Sequence, residues 1–150
     1  MDRRPPRRCP AIALALDDFA DLADAPRLAR RARRIHRRLA RAVDPVVAQH
    51  GAVDLALVGR LVDGVPVDAL AVVTPVAVVV AYRRRLVRAH TATLLFRRAS
   101  VRDVSVTAGA RHRSTRLSLA TAGSATRLDV AGRSPALERR LLDLLSPRRG

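Results

Sequence analysis

Residues 69–85 read ALAVVTPVAVVVAYRRR, and this stretch decides the fold class. Ala69 to Tyr82 is an unbroken run of 14 residues with no charge. A helix needs roughly 20 such residues to cross a bilayer. The run is rich in Val, whose branched Cβ suits extended backbone. Thr74-Pro75 interrupts it, because proline gives nothing to a hydrogen-bonded ladder and pushes the residue before it toward extended angles. The stretch therefore predicts two successive strands, one ending at Val73 and the next running from Val76 to Tyr82.

Working outward, the same signals repeat. Val53 to Val62 is apolar and partly β-branched, and Val62-Asp63-Gly64-Val65 joins it to Val65 to Val73 as a tight hairpin. Downstream, a strand is expected within Leu86 to Phe96. Val101 to Thr107, the segment around Leu117 and Leu119, and the segment around Leu128 and Val130 alternate apolar with polar. Turns are expected at Gly109 to Ser114 and at Ala122-Gly123-Ser124. Ser134-Pro135 opens a closing helix with Leu137, Leu141, Leu144 and Leu145 on one face, and Pro147 stops it.

Upstream, residues 1–10 carry four Arg and three Pro and are expected to form a disordered basic arm. Residues 11–50 form a helical N-terminal extension: a weak helix over Ala11 to Ala23, then a firmer one from the N-cap Asp24 and Pro26. In it Leu28, Ala32, Ile35, Leu39 and Ala42 make one stripe, and Asp44-Pro45 is expected to end it. The predicted class is α+β, mainly β: an antiparallel, bent sheet or barrel of about seven strands over residues 51–150, with an N-terminal helix and a C-terminal capping helix. Short sequential strands without intervening helices favour such a meander.

The charge is extreme and simple in origin. All 29 basic residues are Arg, Lys is absent, and the formal net charge is +16. Arg, Ala, Val, Gly and Pro share GC-rich codons, so base composition contributes to the excess. The charge still draws the chain toward anionic lipid, acidic protein or nucleic acid, with strong salt dependence. Three aromatics, Phe19, Tyr82 and Phe96, are too few to stack single-stranded nucleic acid. One cysteine, Cys9, excludes an internal disulfide and points to a reducing compartment. The basic start precedes an apolar run too short for a signal peptide, so the expected location is cytoplasmic, with peripheral membrane attachment open.

Catalytic constellations are not found. His36, His50, His90 and His112 are scattered and read as surface residues rather than metal ligands. The Asp residues show no paired spacing for acid–base work, no Gly-x-Ser-x-Gly frame surrounds a serine, and the glycines are too dispersed for a phosphate loop. Asp54, Asp63 and Asp68 read as solvated turn acids. No enzyme activity, cofactor or metal is expected.

"ALAVVTPVAVVVAYRRR", "RRASVRDVSV", "LSLATAGSATRLDV" and "PALERRLLDLL" together resemble the bacterial pleckstrin-homology-like domains over residues 54–146. The resemblance implies a bent seven-stranded barrel capped by a helix, and a binding or scaffolding role. Members that bind phosphoinositides hold several basic residues in the first hairpin, whereas here Arg60 to Pro66 offers one Arg and one Asp. A weaker resemblance, over residues 53–83, is to the nuclease-related domain. There Asp68 would stand as the Asp, but Ala81 and Arg83 stand where Glu-x-Lys is required, which implies a dead site.

The most pointed feature is the helix itself. Arg27, Arg30, Arg31, Arg34, Arg37, Arg38 and Arg41 are candidate anion-binding residues, with a second cluster at Arg83, Arg84, Arg85 and Arg88; Arg97 and Arg98 read as loop charges beside it. The expected function is a non-catalytic binding or adaptor module for an anionic surface or a protein partner. The alternatives are nonspecific nucleic-acid binding by the Arg-rich helix, or a catalytically dead nuclease-like domain. A homo-oligomer is compatible with the sequence.

Overall fold

A computed structural model describes residues 26–50, 53–63, 66–84, 90–109, 114–131 and 135–146. The order is α1 (Pro26–His50), β1 (Leu55–Leu61), β2 (Val67–Val73), β3 (Ala77–Arg84), β4 (His90–Arg97), a short 3-10 turn (Arg98–Ser100), β5 (Asp103–Ala108), β6 (Ser114–Ala120), β7 (Ala125–Ala131) and α2 (Pro135–Leu145). All seven strands form one antiparallel sheet in the order β4-β3-β2-β1-β7-β6-β5. The mainly β architecture with a helix at each end is as the sequence predicts. The predicted arm (1–10) and weak helix (11–23) lie outside the described residues.

The turn in the deciding stretch is built by Thr74. Its buried hydroxyl accepts from the Ala77 backbone N–H at 3.0 Å and donates to the Ala77 carbonyl at 3.2 Å. The three-residue connection 74–76 is thereby closed, and Val73 pairs with Val78. The β1–β2 hairpin pairs Leu61 with Val67; Gly64 and Val65 of the expected turn are not among the described residues.

β1 pairs with β2 over seven residues but with β7 over three, Gly59↔Val130, Arg60↔Asp129 and Leu61↔Leu128. This short seam joins two blades, β1–β4 and β5–β7. Both contribute to one core: Leu57, Ala71, Val80 and Phe96 from the first pack in a cluster with Leu117, Leu119, Leu128 and Val130 from the second. The sheet therefore folds over upon itself, and α2 fills the interior with Leu137, Leu141 and Leu145. Leu144, on the same predicted face, is partly buried against this cluster.

A second core lies on the other face of the first blade. Ile35, Leu39 and Val43 of α1 pack on Ala56, Val58, Leu70, Val72, Val79 and Ala81. Strands β1 to β3 are thus covered on both faces, which is why they read as continuous apolar runs rather than alternation. Among the described residues, the second blade is covered on one face only. Arg116, Ser118, Arg127 and Asp129 face outward from it, opposite Leu117, Leu119, Leu128 and Val130.

One boundary differs from the sequence reading. α1 does not end at Asp44-Pro45 but continues to His50 with Pro45 inside it. A proline in a helix interior costs about 3 kcal/mol, by losing one hydrogen bond and crowding the carbonyl four residues back. Val43 is completely buried on the sheet. Tertiary packing here overrides the local preference.

Candidate anion-binding surface

The steps that seat Ile35, Leu39 and Val43 on the sheet set the direction of everything else on α1. At 3.6 residues per turn, positions 30, 34, 37 and 41 fall on the opposite side. Arg30, Arg33, Arg34, Arg37, Arg38 and Arg41 are all exposed. They form a ridge that extends about 16 Å from Arg30 to Arg41, at 1.5 Å of rise per residue. Arg27 and Arg31 lie on the same helix, but their side chains are not among those described.

Five of these six arginines are not neutralised from within the described chain. Among the described residues, no hydrogen bond or ion pair engages the guanidinium groups of Arg30, Arg34, Arg37, Arg38 or Arg41. Asp54, Asp63, Asp68 and Asp129 around the sheet are engaged elsewhere. Asp54 meets Arg98 at 3.4 Å. Asp63 accepts from the Thr126 hydroxyl at 3.1 Å and from the Arg127 backbone N–H at 3.0 Å, which ties the first hairpin to β7. Asp63 is exposed in the turn, as expected, and is a structural acceptor as well.

Asp68 and Asp129 belong to one row. The register places Arg116 opposite Asp129, Asp129 opposite Arg60, and Arg60 opposite Asp68, so alternating charges cross β6, β7, β1 and β2 in line. Arg116 grips Asp129 with two bonds, 2.8 and 3.1 Å, while Arg60 and Asp68 are 3.8 Å apart. The hydrogen bond and charge of Asp129 raise the Arg116 guanidinium still further above its ordinary value. Such a row rewards the correct register and penalises a slip.

The second predicted cluster divides. Arg83 is exposed near the end of β3, on the face that carries α1. Arg84 is in β3, with its side chain not described, and Arg85 and Arg88 lie outside the described residues. Arg97 is exposed on the same face at the other end of the β3–β4 pair, opposite Ala77. Period-two alternation back from Phe96 would have placed it there.

Arg98 is not the loop charge expected. Its guanidinium donates to the Thr74 carbonyl at 3.1 Å, the Pro75 carbonyl at 3.3 Å, the Asp54 carboxylate and the Leu144 carbonyl. One side chain thus ties the β2–β3 turn to the entry of β1 and to the end of α2. Arg140 adds a bond of 2.9 Å to the Asp54 carbonyl. His36 is half-buried rather than on the surface; the side chains of His50, His90 and His112 are not among those described.

Among the described residues, no three His, Cys, Asp or Glu side chains come together as metal ligands, and no helix is long and apolar enough to cross a membrane. Asp54, Asp63 and Asp68 do not converge, since each has its own partner. Comparison with known protein families, curated proteins and solved structures returns no match.

Proposed function

We propose that the chain is a non-catalytic binding module of pleckstrin-homology-like fold that attaches to an anionic lipid surface through the α1 ridge. The observation that carries this reading is the ridge. Arg30, Arg34, Arg37 and Arg41 stand exposed on the side of α1 opposite its packed face, flanked by exposed Arg33 and Arg38, and all of them except Arg33 have no partner among the described residues. A cationic row on a helix held rigidly by its apolar side is drawn to headgroup phosphates, with about 1 kcal/mol per Arg near the surface. Without Trp or a wide apolar face, α1 rests on the surface and does not insert. The open antiparallel order, with its short β1–β7 seam and closing helix, supports the fold assignment.

The test is partition onto vesicles of phosphatidylcholine alone and of phosphatidylcholine with phosphatidylglycerol, beside duplex DNA at equal phosphate and salt. Binding to the anionic vesicles alone, weakening as salt shortens the Debye length, is the expected result. Equal binding to neutral vesicles overturns the reading. Preference for DNA over the anionic vesicles transfers the ridge to the nucleic-acid alternative.

A further inference from the structure

The two ends of the sheet are finished differently. Each end strand has a helix beside it, α2 at β5 and α1 at β4, but β5 is six residues long and begins with Asp103. β4 is eight residues long, and its far edge has no ladder partner among the described residues. Between Thr91 and Phe96 it holds no charge, proline or glycine, although 29 of the 150 residues are Arg. Edges are ordinarily guarded by charge, proline or a cover, because their unpaired N–H and C=O groups template another strand. Leu95, on the outer face, is 53% exposed.

We propose that the β4 edge is a docking site for an extended acidic segment of a partner protein, added as an eighth strand. Such addition takes affinity from main-chain bonds and specificity from alternate side chains. Along β4 one row, Ala92, Leu94 and Phe96, faces the inner core, so every second residue of the incoming strand is small and apolar. The other row, Thr91, Thr93, Leu95 and Arg97, lies on the face where α1 packs. Arg83 stands opposite Thr91 on that face. Residues of the incoming strand on this side are acidic. A second copy is the wrong occupant, since it would bring another net charge of +16 against the same arginines.

The probe is a capped heptapeptide of alternating Glu and Val, with two derivatives N-methylated at the odd or the even positions. N–H groups of a strand point alternately to its two sides, so only one derivative loses the bonds to β4. We expect the parent peptide to protect β4 amides from hydrogen exchange. One methylated form should bind at least tenfold more weakly and the other nearly as well as the parent. Equal binding of both forms, or protection confined to α1, overturns the proposal. Protection of β4 that grows with protein concentration and no peptide overturns it too, in favour of self-pairing. In the variant Arg30→Gln/Arg34→Gln/Arg37→Gln/Arg41→Gln, the difference between the two methylated forms should persist whether or not vesicle binding does. The edge and the ridge thus fail separately.

Discussion

Gly59 occupies the point at which the two blades meet. A Cβ built there would lie 2.1 Å from the Asp129 carbonyl oxygen and 2.9 Å from the Val130 Cα. Those are backbone atoms, which cannot swing aside as a side chain can. Gly59→Ala is expected to separate β1 from β7 and to cost about 3 kcal/mol, the upper part of the range for overpacking. Urea denaturation reads this directly; an unchanged midpoint contradicts the close seam. Arg98 carries the second residue-scale prediction. Its removal leaves the Leu144 and Thr74 carbonyls without their donor and Asp54 without its cation. Arg98→Ala is expected to destabilise by about 2–3 kcal/mol, as charged hydrogen bonds are lost, with the loss read as a lowered melting temperature. Arg97→Ala, one residue away and exposed, is expected to change it little.

At the scale of elements, α2 holds the inner core. Leu141 is fully buried among residues of both blades, and each buried leucine contributes about 1.5–3 kcal/mol. Leu141→Asp replaces that with an unpaired carboxylate and is expected to abolish cooperative unfolding; a variant with wild-type melting excludes the packing. This helix was legible from the spacing of Leu137, Leu141 and Leu144, and the strands from period-two alternation and turn residues. The end of α1 was not legible, because Pro45 is a local signal and the burial of Val43 is a tertiary one. Nor could the role of Arg98 be read: its four acceptors come from segments 23 to 46 residues away, and no local pattern marks such a convergence. The ridge was legible because a helix face is a local property. Its other requirement, acids engaged elsewhere, depends on strand register.

At the scale of the whole molecule, the chain places a wet, charge-laddered blade beside a blade sandwiched between α2 and α1, with the ridge outermost. Among the described residues Asp54, Asp63, Asp68 and Asp129 are each held by a separate structural partner, and no three acids or histidines come together. No cleavage of DNA with Mg²⁺ or Mn²⁺ is therefore expected; metal-dependent cleavage lost in Asp68→Ala would promote the nuclease-like reading. The central claim is that the ridge, rather than the net charge of +16 spread over the chain, makes the anionic contact. The direct measurement is the partition coefficient onto phosphatidylglycerol-containing vesicles for the wild type and for Arg30→Gln/Arg34→Gln/Arg37→Gln/Arg41→Gln. Four arginines at about 1 kcal/mol each predict a loss of roughly a thousandfold with unchanged stability. A variant that partitions as the wild type does would make α1 a solvated flank and contradict the account.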